Sequence, residues 1–578
     1  MRHHGAGWLG GLLLALGAPT GALAQDLHGQ DHAQHPAAPA AEAQDQQHRH
    51  DDAMVPRTAT LLPGYGNGGF AVSTGNAEAQ KFFANGLGLH AAFAHRAAVA
   101  AMTEAVRLDP ACAMCKWGLA LTDGPTINYG KDAKERGPLL VLAREAQAGV
   151  RRSGTARERA LTDALVLRYA PGKDTARADD RYAAAMQAAA ARFPDDNEIL
   201  GLAADALMVS AFADDGSDYD HAAMQAAVVL LEKVLKRAPD HTPAIHFYIH
   251  ATEVIGKPEL AEAYADRLAG LAPRASHLVH MPSHTWYWVG RYQDAARTNR
   301  AAVELGKANA RALGLPDPKG VWDLPYHAHN VIYGLGGALM AGDSRIALDL
   351  ARPLVERSAT DDKARPWSQL LAASGYFALA RFDPASVGAL PEPKLGYLKA
   401  AWHYARGESL VWAGDLTGAR AEAAAIPPTL IQGKPERDAM AAEQMLGITR
   451  AVLEGRIAMA EARWKDAADL FRKAAEIEET EEFSDFSDPP AFWYPVRRDL
   501  AAALLAAGDA ASAQREAEAS LRLRQLDPVA MQVLAAARTA LDRDRRWSGN
   551  RQDYSPSPPG PCAACARRKP SRWLRRSK

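Results

Sequence analysis

Small and large apolar residues recur in this chain with a period of 34 residues, and this period constrains the fold more than any other feature. In a unit that starts at Ala79, positions 4, 8, 11, 20, 24, 27 and 32 are occupied by Phe82, Gly86, Leu89, Ala98, Met102, Ala105 and Pro110. The small residues let two helices approach closely, and the larger ones fill the space between them. The proline ends the second helix. The unit therefore predicts a pair of antiparallel α-helices.

The same frame returns further along the chain. A unit that starts at Thr242 matches it, and a second that starts at Ser276 follows 34 residues later. Another match near the C-terminus consists of Gly455, Ala467, Phe471 and Ala474. Because alanine and leucine recur at helical spacing between these units, we expect residues 76–545 to be almost entirely helical.

This pattern closely resembles the tetratricopeptide repeat (TPR) family. The segments ACAMCKWG from Ala111, HMPSH from His280 and YHAHN from Tyr326 are also similar to those of exported bacterial TPR proteins of unassigned function. The resemblance covers most of residues 76–540 and implies an all-α fold, a right-handed superhelix of antiparallel helix pairs. The first helices of such a solenoid line a concave groove. The resemblance implies no enzymatic activity.

The ends of the chain predict export. Residues 1–24 read as a signal peptide, with Arg2, an apolar stretch from Trp8 to Ala18 and a small-residue cleavage site that ends at Ala24. The prediction is therefore a periplasmic or secreted protein. Residues 25–75 are rich in histidine, and we expect them to be disordered. The same holds for the basic tail, residues 546–578, whereas a joint between two arrays is expected near 382–435.

Charge and composition exclude other classes. Lys plus Arg total 67 and Asp plus Glu 68, so the net charge of −1 argues against a nucleic-acid partner. Beyond the signal peptide, no apolar run has the length of a membrane span. Four cysteines cannot form a disulfide framework for 578 residues. Cys112 and Cys115 are read as a local disulfide or as two small core residues, with soft-metal binding as a minor alternative.

The N-terminal segment has two interpretations. Its histidines suit a loose chelator for zinc, copper or nickel, because neutral imidazole is a common ligand of these ions. The alternative is an ordinary polar linker. The histidines concerned are His28, His32, His35, His48 and His50.

Histidines in the repeat region keep phase with the 34-residue frame. His246 and His250 occupy positions 5 and 9 of the unit that starts at Thr242. His280 and His284 repeat the pair at the same positions of the next unit. Residues three or four apart share one helix face. In TPR proteins these positions face the groove, so the resemblance implies that the four imidazoles converge.

Further candidates share this face. His277 and His329 occupy position 2 of their units, Glu253 occupies position 12, and His327 lies close by. Together with the two pairs, these residues form the predicted ligand-binding groove.

Three interpretations of the groove stay open. In the first, the histidines are polar residues without special chemistry. The second is a zinc or copper site, because two histidines at i and i+4 with a third ligand suit these ions, and its predicted ligands are His246, His250, His280 and His284. The third is a groove that grips an anion or a peptide C-terminus and strengthens as the pH falls.

Enzyme signatures are missing from the sequence. The segment from His246 to His250 has Phe247 where a zinc protease carries its glutamate base. The leading hypothesis is therefore a non-enzymatic, exported TPR scaffold that binds a peptide, a protein or a small anionic ligand. A metal-handling protein for copper or zinc is the alternative, and a metal-dependent hydrolase that uses Glu253 is a weaker third.

Overall fold

The chain is a succession of α-helices joined by short turns. A computed structural model describes residues 59–171, 176–212, 219–312, 314–315, 319–324, 326–433, 437–484 and 488–552. Within these ranges there is no β-strand. None of their helices combines the length and the apolarity that a membrane crossing requires. The predicted signal peptide, residues 25–58 and residues 553–578 lie outside the described residues.

The helices follow one another in chain order. The first thirteen are α1 Ala77–Ala91, α2 His95–Leu108, α3 Ala113–Thr122, α4 Ala133–Ser153, α5 Ala156–Tyr169, α6 Ala176–Arg192, α7 Asn197–Ala211, α8 His221–Arg237, α9 Thr242–Val254, α10 Glu262–Leu271, α11 Ser276–His280, α12 Pro282–Trp288 and α13 Tyr292–Ala312. The others are α14 His327–Ala341, α15 Ser344–Thr360, α16 Pro366–Phe382, α17 Pro384–Val387, α18 Gly396–Ala413, α19 Leu416–Ala425, α20 Arg437–Ala460, α21 Trp464–Glu478, α22 Glu481–Ser484, α23 Arg497–Ala506, α24 Ala510–Leu523 and α25 Pro528–Gln552. Two short 3₁₀ turns, Pro258–Ala261 and Lys319–Asp323, precede α10 and α14.

The predicted repeat units correspond to packed helix pairs. The unit at Ala79 is the pair α1 and α2, and the unit at Thr242 is α9 with α10. The unit at Ser276 pairs α11 and α12 with α13; its first helix is divided at Met281. The all-α, TPR-like fold is thereby confirmed.

Local sequence explains the helix ends and the close packing. The side chain of Asn76 caps α1 by accepting hydrogen bonds from the backbone N–H groups of Glu78 and Ala79. At position 8 of this unit, a Cβ on Gly86 would lie 2.8 Å from Cε of Met102 at position 24. The small residue thus leaves room for the side chain of Met102, which would have to move if position 8 carried a side chain.

The apolar core is divided at a different place from the one that we expected. One cluster of buried side chains extends from Ala79 to Met281 and a second from Tyr287 to Ala503. The second continues through the region 382–435, because Val387 and Ile426 are buried in it. The core therefore divides between Met281 and Tyr287, beside His280 and His284, and not at the expected joint.

Residues 59–75 differ from the disorder that we expected for 25–75. The N–H of Leu62 donates to Oδ1 of Asn85, and the N–H of Ser73 donates to a carboxylate oxygen of Glu158. These contacts anchor the segment along the first helix pairs, so the ordered region begins before position 76. At the other end α25 continues to Gln552, seven residues beyond the predicted limit at 545.

Candidate metal centre

Histidines from three consecutive repeat units meet where the two core clusters adjoin. Helix α9 contributes His246 and His250, α11 contributes His277 and His280, α12 contributes His284, and α14 contributes His329. Within two groups, His246–His250–His277 and His280–His284–His329, one nitrogen from each ring lies within 4.8 Å of the others. Such separations suit three ligands of one ion. We call His246, His250 and His277 the upper triad, and we call His280, His284 and His329 the lower triad.

In the lower triad, the Nε2 atoms face one another. Nε2 of His284 lies 2.8 Å from Nε2 of His280 and 3.4 Å from Nε2 of His329. His280 and His284 are fully buried, and the side chain of His329 is 24% exposed. Access to the three nitrogens is therefore from the side of His329.

Hydrogen bonds fix the orientation of two of these rings. Nδ1 of His280 lies 2.6 Å from Oδ1 of Asn299, whose amide nitrogen donates to the carbonyl of Ala295. Nδ1 of His284 lies 2.7 Å from Oε2 of Glu253. Because both oxygens only accept, each Nδ1 carries the proton, and in neutral rings both Nε2 atoms present lone pairs. Two lone pairs 2.8 Å apart require a cation between them, either a proton or a metal ion.

The charges in the triad are consistent with a shared proton. Burial opposes the protonation of His284, but the carboxylates of Glu253 and Asp488 raise its pKa to about 8. Burial and the neighbouring imidazoles lower the pKa of His280 well below its usual value. Burial lowers the pKa of His329 to about 4, although Asp488 opposes this shift. Without metal, His284 is thus the imidazolium that donates from Nε2 to His280.

The carboxylates of Asp488 and Glu253 lie beside the lower triad. Oδ1 of Asp488 lies 3.4 Å from Nδ1 of His284 and 3.9 Å from Nε2 of His329, and it makes no hydrogen bond with the residues that the structure describes. The hydroxyl of Tyr333 donates to Oε1 of Glu253, as does the indole N–H of Trp288. Glu253 is therefore held by two donors and can orient His284 rigidly.

The upper triad is more deeply buried and has no carboxylate among its members. Nδ1 of His246 lies 2.6 Å from the carbonyl oxygen of Ala91, and its Nε2 lies 3.1 Å from Nε2 of His277. His250 belongs to the upper triad and also lies close to the lower one. One of its ring nitrogens is within 4.8 Å of a carboxylate oxygen of Glu253 and a ring nitrogen of His284.

Most of the predicted groove residues are brought together, and one is not. His246, His250, Glu253, His277, His280, His284 and His329 belong to the three groups of ligand atoms described above. His327 does not: its ring packs edge-on against Trp322, with the centroids 4.7 Å apart. His327 and His329 are two positions apart on one helix, about 200° around its axis, and cannot face the same way. His327 is therefore not brought to the triads with the other predicted groove residues.

Sequence reasoning did not identify Asn299 and Asp488 as parts of the site. Asn299 occupies position 24 of the unit that starts at Ser276, a position where the repeat predicts packing between the two helices. Asp488 follows α22, far from any histidine in the sequence, so no spacing could have indicated it. The predicted pairing of Cys112 with Cys115 as a local disulfide is present in the structure, away from the triads.

Comparisons with known proteins identify no family. No protein-family model matches the chain, and no curated protein matches it. Among solved structures, the chain is similar to yeast Tom70, with 12% identity, a TM-score of 0.26 and coverage of 83% of this chain and 92% of that chain. The chain is also similar to the TPR domain of P58(IPK), with 13% identity and a TM-score of 0.21. That match covers 81% of this chain and 99% of the other. A third similar structure is the APC/C heterotetramer Cut9–Hcn1, with 12% identity and a TM-score of 0.30. That match covers 86% of this chain and 81% of the other. At these TM-scores the likenesses carry no argument about function.

Proposed function

We propose that this protein binds a divalent metal ion, zinc, through His280, His284 and His329. The observation that carries the proposal is the pair of Nε2 lone pairs in the lower triad, 2.8 Å apart with both Nδ1 atoms engaged by acceptors. A histidine ligand of zinc commonly donates its other N–H to a carboxylate or carbonyl oxygen. Asn299 and Glu253 hold the two rings in that manner.

The distances suit such an ion. Zn–N bonds of about 2.0–2.1 Å at tetrahedral angles place two nitrogens about 3.4 Å apart. His284 and His329 have this separation already, and His280 needs to move by about half an ångström. Asp488 lies on the side of His329, with Oδ1 3.9 Å from Nε2 of that ring, where its negative charge compensates part of the charge of the ion.

The electrostatics disfavour the alternative of an anion-binding groove. Gripping a carboxylate would need charged imidazoles on an accessible wall. Burial instead lowers the pKa of His280 and His329, and Glu253 and Asp488 bring negative charge to the triad. The one imidazolium, His284, already faces both carboxylates, so the triad has no excess positive charge with which to attract an anion. A protein or peptide partner elsewhere on the helical repeats, export and the lack of enzymatic activity stay predictions.

Metal counting tests the proposal. We expect the full chain to retain zinc after equilibrium dialysis, and His284→Ala and His329→Ala each to retain one ion fewer per chain. The N-terminal histidines are the same in all proteins compared, so the difference reports the triad alone. His403→Ala is the matched control, because His403 pairs with Glu422 away from the centre. Equal zinc content in the wild type and in both triad variants would refute the proposal.

A folding control keeps the test decisive. Each variant is compared with the wild type by circular dichroism before zinc is counted. If His284→Ala does not fold, His329→Ala takes its place, because the side chain of His329 is partly exposed and its removal leaves no buried carboxylate unpaired.

A further inference from the structure

We propose that the upper triad, His246, His250 and His277, is a second metal site that takes monovalent copper. It uses ligands other than those of the proposed divalent site. His246 and His250 are one helical turn apart on α9, and His277 on α11 faces them. The three ligand atoms lie within 4.8 Å of one another, as they do in the lower triad.

Hydrogen bonding leaves donor atoms directed into the triad. Since the carbonyl oxygen of Ala91 only accepts, Nδ1 of His246 carries the proton and Nε2 presents its lone pair towards His277. Nε2 of His250 is buried and has no hydrogen-bond partner among the residues that the structure describes. A buried polar atom without a partner destabilises the folded protein. A metal ion bound by this nitrogen would remove that penalty.

Aromatic side chains enclose the triad. The ring of Phe93 stacks on His277 with centroids 4.9 Å apart, and it meets His246 edge-on at 4.5 Å. Tyr326 covers the same face of the site, 4.4 Å from His277. Phe93 and Tyr326 both have positive φ angles, 53° and 65°. Non-glycine residues in this region are strained, and such residues concentrate at functional sites.

Charge decides which ion the upper triad prefers. Its three members are imidazoles, which bind metals as neutral ligands, and no carboxylate belongs to the triad. The carboxylate of Glu253, near His250, is already bonded to His284, Trp288 and Tyr333. The cost of desolvating an ion rises with the square of its charge, so an uncharged, water-excluding site favours a monovalent ion. Imidazole is a good copper ligand, and copper is the imidazole-binding metal that is commonly monovalent.

Reciprocal loss of the two metals tests the assignment. The parent protein is the full chain with alanine at the five histidines of the N-terminal segment, His28, His32, His35, His48 and His50. Under anaerobic conditions, Cu(I) is titrated in competition with a chromophoric Cu(I) chelator, and Zn²⁺ is counted by dialysis. We expect His246→Ala and His277→Ala each to lose one tightly bound Cu(I) and to keep zinc. We expect His284→Ala to lose zinc and to keep that Cu(I).

Each outcome bears on one of the two proposals. Retained zinc shows that His246→Ala is folded, and His403→Ala should lose neither metal. If the parent, His246→Ala and His277→Ala bind the same number of Cu(I) ions, the second site does not exist. If every variant loses both metals, the two triads form one centre and the assignment of separate sites is overturned. Loss of Cu(I) alone by His246→Ala with no zinc in any protein would support this inference and refute the proposed divalent site.

Discussion

Nδ1 of His284 lies 2.7 Å from Oε2 of Glu253, a residue of the preceding repeat unit. The contact links α9 to α12 and determines which nitrogen of His284 can bind an ion. The same carboxylate accepts hydrogen bonds from Trp288 and Tyr333 through its other oxygen. One partly buried side chain therefore positions the ring, stabilises its charge and links two repeat units.

We expect Glu253→Gln to weaken zinc binding by about 10- to 100-fold, the range typical when a carboxylate that orients a ligand histidine is lost. Glutamine has a single acceptor oxygen, whereas Glu253 accepts from three donors, so its NH₂ group would face the N–H of His284 or of Trp288. The measurement is competition for Zn²⁺ with a chelator of known affinity.

Glu304→Gln is the matched control, because Glu304 forms an exposed ion pair with Lys307 on α13. Its zinc affinity should equal that of the wild type. Unchanged affinity in Glu253→Gln, with the fold intact, would show that the carboxylate does not act on a metal site.

The cluster could be predicted because the position of a residue in the repeat and the helix face that it occupies can both be read directly from the sequence. His246 and His280 occupy equivalent positions 34 residues apart, and stacking of equivalent helices brings such residues together. Asp488 could not be predicted in this way. It lies in an irregular segment after α22 and reaches the triad only through tertiary packing. Closeness in sequence does not bring His327 to the triad, because it lies two helical positions from His329 and the two side chains point to opposite sides of the helix.

The packing of α14 on α13 should not tolerate a side chain at Gly337. A Cβ there would lie 2.8 Å from the backbone nitrogen of Ala296 and 2.9 Å from the carbonyl oxygen of Tyr292. Backbone atoms cannot rotate away, so Gly337→Ala should force the helices apart and lower the free energy of unfolding by about 1–3 kcal/mol. Because α14 carries His329, zinc binding should weaken as well.

Gly201→Ala on α7 should stabilise the protein, in contrast to Gly337→Ala on α14. No atom lies within 4 Å of a Cβ at Gly201 on α7, so the substitution should stabilise the protein by up to about 1 kcal/mol through helix propensity. Urea unfolding followed by circular dichroism compares the two variants. Equal shifts in the same direction would contradict the close approach at Gly337.

The buried ion pair between Arg498 and Asp527 should be far more important to stability than an exposed one. The side chain of Arg498 is 3% exposed and that of Asp527 is fully buried, with Nη1 3.1 Å from the carboxylate. Arg498→Met leaves the carboxylate unpaired, and we expect a loss of about 3–5 kcal/mol in urea unfolding. Arg472→Met removes an exposed pair with Asp469 and should change stability by less than about 1 kcal/mol. A comparable loss in both variants would contradict this expectation.

Asp205 should make the stability of the protein depend on pH. Burial raises its pKa from 3.8 to about 6, although Arg168 opposes the shift and Asp179 adds to it. Because the folded state binds this proton more tightly, the contribution of Asp205 to stability is greatest below pH 4 and is lost as the pH rises through 6. A shift of about two pKa units corresponds to about 3 kcal/mol. Relative to the wild type, Asp205→Asn should therefore gain about that much between pH 4 and pH 7.5.

The measurement is the difference in urea unfolding between Asp205→Asn and the wild type at each pH. Since asparagine does not ionise, the variant does not lose stability as the wild type deprotonates, and its advantage should grow between about pH 4 and pH 6 and stay level above pH 6. Asp195→Asn is the control, because the side chain of Asp195 is 96% exposed and its difference from the wild type should stay constant with pH. A constant difference for Asp205→Asn as well would mean that Asp205 has the same proton affinity in the folded and unfolded chains, and that its burial beside Arg168 is fully compensated.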